Sequence, residues 1–170
     1  MYLRKIKTTD VDDIHEYASI PEVSQYQVWG PNQYRDTLNH VKELLGENDS
    51  LYHRVIVINY KVIGAAELHI NQSEMTGEIG YVVHPDYQGK GIAGKVSEMI
   101  LDYGFSQLNL KRIIGKADTR NIASRKVLEK IGMSKTDVVM KDLLLSDGYR
   151  DTVIYMITEE AYNKRPSEGA

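Results

Sequence analysis

Apolar and polar residues alternate over several short stretches of this chain, which is the pattern of half-buried β-strands. In the stretch from Thr76 to His84, for example, Ile79, Tyr81 and Val83 fall on one face and the intervening residues on the other. Clusters of Gly, Pro, Asn, Asp and Ser separate these stretches, as expected of turns. The pattern predicts strands in residues 2–7, 52–58, 62–70, 76–84, 111–117, 133–145 and 150–157.

Other segments carry apolar residues at helical spacing. The longest runs from about Gly89 to Gln107, with Ile92, Val96 and Ile100 on one face. We expect the Thr8-Thr9-Asp10 segment to cap a first helix with its side chains. Further helices are predicted to begin near residue 11 and to span residues 33–45 and 121–131, with an irregular connection over residues 19–31.

The order of these elements predicts the fold class. Strands joined by short turns form hairpins, whereas the strand, helix, strand, helix order after residue 76 indicates a parallel crossover, which we expect to be right-handed. The sum is a layered α+β (α/β) domain with a mixed sheet. A chain of 170 residues fits one domain, predicted over residues 1–165, with a frayed tail over 166–170.

Composition narrows the classes of function. The net charge of -3 and the scattered Lys and Arg give no basic stripe for nucleic acid. The absence of Cys excludes disulfides and thiolate zinc sites and is consistent with a cytoplasmic protein. The first seven residues do not form a signal-peptide pattern, and no apolar run approaches the roughly twenty residues of a membrane span. We therefore expect neither a nucleic-acid nor a membrane partner, and no metal.

The turn Gln88-Gly89-Lys90-Gly91-Ile92-Ala93 is the strongest candidate for chemistry. It connects a predicted strand to the start of the longest helix, where unpaired amides and the positive end of the helix dipole favour an anion such as a diphosphate. Glycines allow phosphate oxygens to approach the backbone, and Lys90 adds positive charge. A plain turn is the alternative. The spacing matches neither the P-loop nor the Rossmann fingerprint.

Two segments together resemble the GNAT superfamily of N-acetyltransferases. The segment from Tyr81 to Ala93 is similar to its acetyl-CoA-binding motif, with Ala93 at the last motif position. The segment from Asn121 to Met133 is similar to its second conserved helix, and the Asn-x-x-Ser form resembles the RimJ/RimL-type branch, which includes ribosomal-protein N-terminal acetyltransferases. The resemblance implies a mixed, mostly antiparallel central sheet flanked by helices.

The resemblance also implies how acetyl-CoA binds. Its pantetheine arm is expected along the backbone of Tyr81, Val82 and Val83, with Gly80 leaving room for the acetyl group. The phosphates are expected at residues 88–93, which adds Gln88, Gly89, Lys90, Gly91, Ile92 and Ala93 to the cofactor set. Asn121 is expected to cap its helix and to contact the cofactor. Ser124 is also expected to contact the cofactor.

Acetyl transfer to an amine needs a polarised carbonyl, an acid for the thiolate and a base for the amine. A backbone N–H near Val82 is implied as the polarising donor. Many members carry a Tyr acid at the position of Leu128, so Ser124 becomes the candidate acid here, with an ordinary helix-surface Ser as the alternative. Glu78 is the candidate base, unless it only pairs with a cation, and Glu67 and His84 are rivals.

Three aromatic residues in and after the irregular connection, Tyr26, Trp29 and Tyr34, are candidates for the acceptor pocket, with core packing as the alternative. The function predicted from all these features is transfer of acetyl from acetyl-CoA to a primary amine, either a protein N-terminal α-amine or a small molecule. The alternative is a non-catalytic acyl-CoA sensor. A homodimer is also possible.

Overall fold

The computed structural model describes residues 1–46 and 48–165 as a seven-stranded sheet with helices on both faces. The predicted frayed tail, residues 166–170, lies outside the described residues. The strands, in chain order, are β1 (Tyr2–Arg4), β2 (Leu51–Ile58), β3 (Lys61–Asn71), β4 (Thr76–Val83), β5 (Arg112–Asp118), β6 (Ser134–Leu145) and β7 (Gly148–Thr158). The helices are α1 (Val11–Ala18), α2 (Pro21–Ser24), α3 (Tyr34–Leu44), α4 (Ile92–Ser106), α5 (Ile122–Lys130) and α6 (Glu159–Asn163).

The sheet is mixed and mostly antiparallel, which confirms the predicted fold class. Its strand order is β1-β2-β3-β4-β5-β7-β6. The β4–β5 pair is parallel, and the other five pairs are antiparallel. The parallel pair follows from the crossover through α4, because parallel strands need a long connection rather than a hairpin.

Each face of the sheet has its own hydrophobic core. On one face α4 and α5 bury residues such as Val96, Ile100 and Leu128 against Ile79 and Val83 of β4. On the other face α1 and α3 pack on β2 and β3 through a second cluster: Ile14, Tyr17, Val41, Val55, Val57 and Val62. Full burial of one such side chain contributes about 1.5–3 kcal/mol, so both layers of helices are held by apolar contact.

The sequence predicts that the Asp10 side chain caps α1, but in the structure it does not. Its carboxylate accepts two hydrogen bonds from the Arg4 guanidinium, at 2.7 and 2.8 Å, and one from the Lys7 amide at 2.8 Å, whereas the α1 amides receive no side-chain cap. Although burial acts to raise the pKa of Asp10, these hydrogen bonds hold it below its ordinary value. The carboxylate is used for tying β1 to the next turn instead, because a guanidinium gives charge-assisted bonds in a fork geometry.

The main departures from the predicted elements are short. The irregular connection contains α2, which begins with Pro21, and the chain continues past β7 into α6. Single-turn helices carry too few apolar positions for a period to be recognised. Within residues 1–46 and 48–165, no helix combines the length and the apolar character that crossing a bilayer requires.

Gly64 is a site where the fold excludes any side chain. It lies in β3 opposite Val83, and a Cβ there would lie 2.2 Å from the carbonyl oxygen of Val82. Because the obstacle is backbone, it cannot rotate away. We therefore predict that Gly64→Ala lowers the free energy of unfolding by about 1–3 kcal/mol or more, measured by chemical denaturation.

Gly94→Ala is the matched control for this prediction. Gly94 lies in the first turn of α4, and a Cβ there meets no atom within 4 Å. The same change should leave stability unaltered or raise it by up to about 1 kcal/mol. Equal stability of the two variants would contradict the predicted contact at Gly64.

Candidate active site

A buried histidine anchors the turn between β4 and α4. The Nδ1 atom of His84 accepts a hydrogen bond from the Asp86 amide at 3.1 Å. Its Nε2 therefore carries the proton and donates to Glu16 Oε1 at 3.2 Å. Both ring nitrogens are engaged, so His84 orders the turn and ties it to α1 rather than standing free as a base.

The turn then passes through two glycines with left-handed backbone. Gly89 and Gly91 have φ of 74° and 75°, a conformation that favours glycine. Among residues 1–46 and 48–165, no atom apart from those of adjoining residues lies within 4 Å of the place that a Cβ would occupy at Gly89, Gly91 or Gly94. The turn therefore presents open backbone to an incoming group.

The α4 helix begins at this open surface with its first amides unpaired. Gly91 is the N-cap residue and has no side chain to bond the Ile92, Ala93 or Gly94 amides. The first intrahelical bond of the turn runs from the Lys95 amide to the Gly91 carbonyl, at 3.1 Å. Three N–H groups and the positive end of the helix dipole therefore point at the same open space, which suits a diphosphate.

Side chains of the turn brace it instead of filling it. The Gln88 Nε2 atom donates to the Val83 carbonyl oxygen at 3.0 Å. The Lys90 ammonium donates to the Asp86 carbonyl oxygen at 2.8 Å and lies 5.1 Å from the centre of the Tyr87 ring. The turn is thus held by hydrogen bonds among its own residues.

Next to the turn, β4 and β5 separate. Their parallel pairing runs from Thr76–Arg112 to Ile79–Gly115, and each strand then continues beyond the last pair, β4 to Val83 and β5 to Asp118. We call the space between the two diverging segments the strand gap. It leads from the glycine turn to the middle of the sheet.

The antiparallel ladder decides which amides face the strand gap. The His84 amide donates to Ile63 of β3, and successive residues of a strand alternate in direction. Because Val82 pairs with Ala65 in register two residues earlier, its N–H points toward β3. The amides of Tyr81 and Val83 point toward the strand gap and have no partner strand there.

Helix α5 brings Asn121 and Ser124 to the same gap. The Asn121 Oδ1 atom accepts from the Ser124 amide at 3.1 Å, which confirms the predicted N-cap. Among the described residues, the Asn121 Nδ2 atom has no protein acceptor and is available to a ligand.

Tyr81 reaches across to Ser124, a contact that the sequence analysis missed. Its phenolic oxygen lies 3.0 Å from Ser124 Oγ and donates to the Ser124 carbonyl oxygen at 3.2 Å. Burial raises the pKa of Tyr81 to about 12, although the bond to Ser124 acts in the opposite direction. The phenol therefore keeps its proton at neutral pH. Alternation of faces along β4 directs this ring toward the helices and was the available signal.

Leu128 is part of the core rather than of the gap surface. Its side chain is 2% exposed, and a Cβ on Gly115 would lie 2.5 Å from its Cδ2 atom. It covers the last β5 residue that pairs with β4. No proton-donating group is present at this position of α5.

Two carboxylates lie on the opposite face of the sheet. Glu78 pairs with Lys116 of β5 at 2.8 Å, with about 38% of its side chain exposed. Glu67 lies over Gly80, because its Oε1 atom would be 3.1 Å from a Cβ there. The room expected beside Gly80 is therefore occupied by Glu67, which corrects that expectation and places this carboxylate over β4 just beyond its last pair with β5.

A histidine supports Glu67. The His69 Nε2 atom lies 3.0 Å from Glu67 Oε1. Although burial acts to raise the pKa of Glu67, the bond with His69 holds it below its ordinary value. The same bond raises the pKa of His69. Glu67 is thus held in its carboxylate form, and its hydrogen bond favours the protonated form of His69.

The three aromatic candidates separate in space. Tyr26 lies 5.5 Å from the Arg120 guanidinium, at the end of β5. Trp29 packs against the core between the sheet and α1. The Tyr34 hydroxyl donates to Asp12 of α1 at 2.8 Å.

A network at the end of β5 was not predicted. Arg120 donates to the buried Asp118 at 3.0 and 2.7 Å and to Asp147 of the β6–β7 turn at 2.8 Å. The Arg150 Nη1 atom donates to the carbonyl oxygen of Tyr26 at 3.2 Å. These bonds join three segments distant in sequence, so spacing along the chain gives no signal for them.

A split parallel strand pair, a glycine turn with free amides and a helix cap beside the gap together define an acyl-coenzyme A-binding transferase. The comparison with known families agrees with this class. Residues 1–134 match the model of the acetyltransferase (GNAT) domain, and the chain belongs to this family. It is an N-acetyltransferase that uses acetyl-CoA.

Individual relatives cover nearly the whole chain. The uncharacterized N-acetyltransferase YnaD of Bacillus subtilis is 31% identical, with 96% of each chain covered. The spermidine N(1)-acetyltransferase of Escherichia coli is 25% identical over 94% of this chain and 87% of its own. The crystal structure of a GNAT-family acetyltransferase from Bacillus anthracis superposes with a TM-score of 0.84 at 31% identity, covering 93% of this chain and 94% of that one.

The free amides of α4 predict opposite effects of one substitution on stability and on binding. Gly94→Glu places a carboxylate in the first turn, where it favours the helix by about 0.3–1 kcal/mol. The same carboxylate competes with a diphosphate for the amides, and close like charges cost several kcal/mol. We expect coenzyme A affinity to fall about tenfold or more relative to Gly94→Gln, measured by titration calorimetry.

Gly94→Gln is the control because it has the same size without the charge. Thermal denaturation of both variants without ligand should show that the Glu variant is at least as stable as the Gln variant. Equal coenzyme A affinity of the two variants would remove the diphosphate from the start of α4.

Proposed function

We propose that this enzyme acetylates a small cationic primary amine, with a polyamine as the leading candidate and a protein α-amine as the second. Acetyl-CoA supplies a thioester whose carbonyl carbon is attacked by the neutral amine. The observation that carries the proposal is the placement of Glu67 against Gly80, on the face of β4 opposite α4 and α5. An ammonium group is attracted to that carboxylate, whose side chain is about one-third exposed on this face.

On the helix face, we propose the cofactor contacts that the family resemblance implies. The amides of residues 92–94 are proposed to bind the diphosphate, with the turn residues 88–91 around it. The pantetheine is proposed to lie along the strand gap beside Tyr81, Val82 and Val83, with Asn121 as a further contact. The amides of Tyr81 or Val83 are the proposed donors to the thioester carbonyl, because they face the gap.

On the acceptor face, two carboxylates are candidates for receiving the amine. We favour Glu67 over Glu78, because Glu78 is already paired with Lys116. A carboxylate with a lowered pKa is a weak base, so Glu67 would chiefly hold the ammonium. His69, which is hydrogen-bonded to Glu67, is the proposed base for the amine proton, directly or through water.

The polyamine candidate gains support from the E. coli relative, whose name states a spermidine acceptor. The α-amine candidate is supported by the Asn121 and Ser124 pair and by Leu128, which resemble the RimJ/RimL-type branch. An α-amine, with a pKa near 7.7–8.0, also needs less help to lose its proton than an alkylamine near 10.4.

A panel of acceptors tests the proposal. The purified protein is incubated with acetyl-CoA and with spermidine, spermine, amino acids, aminoglycosides or short peptides, and thiol release is followed. We expect the highest kcat/KM for a polyamine. A higher value for peptides identifies the α-amine candidate, and coenzyme A binding without turnover on any amine contradicts the proposed function.

Substitution of the two carboxylates predicts unequal effects. Glu67→Gln should lower kcat/KM for the amine about tenfold or more, the size expected for a hydrogen bond to a charged group. Glu78→Gln should lower it less than about fivefold, because a half-exposed ion pair contributes little. The affinity for coenzyme A, measured separately, should stay the same in both variants.

The pH dependence provides a further check on Glu67. Its lowered pKa keeps it ionised over about pH 6 to 9. Removing it should therefore lower kcat/KM throughout this range rather than only at one end. A larger loss in Glu78→Gln than in Glu67→Gln would transfer the role to Glu78.

A further inference from the structure

We propose that the Tyr81 hydroxyl, acting through Ser124 Oγ, supplies the proton to the leaving sulfur of coenzyme A. The inference rests on the proposed acetyl transfer and names the acid for it. Tyr81 of β4 would then be the source of the proton for the sulfur, a role that Leu128 of α5 cannot fill.

An aliphatic residue, Leu128, occupies the position on α5 where a proton donor would be expected. Leu128 lies over Gly115, the last β5 residue paired with β4, so position 128 is at the closed end of the strand gap. An aliphatic side chain there has no proton to give. The sulfur, which follows the pantetheine along the gap, needs a donor from another element.

Tyr81 lies at the same end of the strand gap as Leu128. It lies two residues beyond Ile79, the last β4 residue paired with β5, so it begins at the same end of the gap from the opposite strand. Its backbone faces the gap, while its ring packs among the core residues on the helix side. The phenol and position 128 therefore approach the same region from β4 and from α5.

Hydrogen bonds connect Tyr81 to Ser124 and Ser124 to Asn121. Tyr81 Oη is within 3.2 Å of both Ser124 Oγ and the Ser124 carbonyl oxygen. The Ser124 amide is in turn bonded to Asn121, which fixes the start of α5. Either oxygen can donate in the 3.0 Å contact between the two hydroxyls, so Ser124 can accept from the phenol while it turns its own proton toward a group in the gap.

The proton balance closes within the reaction. The amine nitrogen forms a bond to the acetyl carbon, and the carbon–sulfur bond breaks with its electron pair on sulfur. Sulfur takes the Ser124 hydroxyl proton, and Ser124 takes the phenolic proton of Tyr81. The Tyr81 oxygen recovers a proton from the nitrogen, which loses one on becoming an amide, by way of solvent.

Four variants test this relay: Tyr81→Phe, Ser124→Ala, the double variant, and Tyr155→Phe as a control. Tyr155 is another buried tyrosine, 1% exposed, whose hydroxyl donates to Glu129 of α5 at 2.7 Å. Its loss removes a comparable buried hydroxyl without touching Ser124. Acetylation of the best amine is measured with acetyl-CoA and with an acetyl thioester of an aromatic thiol, whose thiolate leaves without a proton.

We expect Tyr81→Phe and Ser124→Ala each to lower kcat with acetyl-CoA on the order of 10²-fold, the lower end for acid catalysis. Coenzyme A affinity should stay close to that of the wild type, and the defect should shrink strongly with the aromatic thioester. The double variant should be no slower than the slower single variant, because the two groups act in one chain. For Tyr155→Phe, the ratio of its kcat to that of the wild type should be the same with acetyl-CoA and with the aromatic thioester.

Two results would overturn the inference: an unchanged kcat in both single variants, or an equal loss with both thioesters. Ser124→Ala removes only a hydroxyl and leaves the backbone bond between the Ser124 amide and Asn121 in place, so this variant still tests the relay if Tyr81→Phe does not fold. Failure of the proposed function is distinguishable, because then the wild-type enzyme itself transfers no acetyl group to any amine.

Discussion

The separation of β4 from β5 is the constraint on which the rest of the site depends. The two strands are made parallel by the crossover through α4, and they pair over only four residue pairs before diverging. In a continuous sheet the N–H and C=O groups of Tyr81 and Val83 would be consumed by a neighbouring strand. Here both N–H groups remain available to a ligand, while the Val83 carbonyl oxygen accepts from the Gln88 side chain. The cost of opening the sheet is reduced because β3 still pairs with β4 and β7 with β5 along their full lengths.

The same separation divides the labour between the two faces of the sheet. Helices α4 and α5 close one face and contribute unpaired amides, Asn121 and Ser124. The other face carries Glu67 with its histidine and, at the end of β5, the Arg120 network. A thioester held in the gap would meet the amine from the opposite face, so donor and acceptor need not share an entrance. This division also explains why Glu67 rather than a residue of the helices lies next to Gly80.

Patterns within one element were enough to predict the sheet, the crossover and the glycine turn. Period-two alternation around Ile79 and period-3.6 spacing around Val96 depend on local geometry, and both elements form within three residues of the predicted bounds. The Asn121 cap was predictable for the same reason. Each of these depends on neighbours a few residues apart, which the order of the chain gives directly.

Interactions between distant segments could not be predicted in this way. That Glu67 fills the space at Gly80 depends on the β3–β4 register, and the Tyr81–Ser124 contact depends on how α5 sits over β4. The Asp10 cap was wrong because a guanidinium on β1, brought in by the fold, competes for the carboxylate. A sequence names the groups that can form such bonds, but packing decides which partner each one meets.

The glycine turn exposes main chain rather than side chains, and this has a consequence for how the protein can change over time. Substituting Gln88 or Lys90 removes one supporting hydrogen bond and leaves every amide of the turn in place. Changes in surface charge at these positions therefore leave the proposed diphosphate site intact. The two glycines with φ near 75° are different, because any larger residue there both strains the chain and intrudes on the open space. The acceptor face, built from side chains, has no such restriction. A lineage that keeps this turn is therefore free to exchange one amine for another while retaining the same acetyl donor.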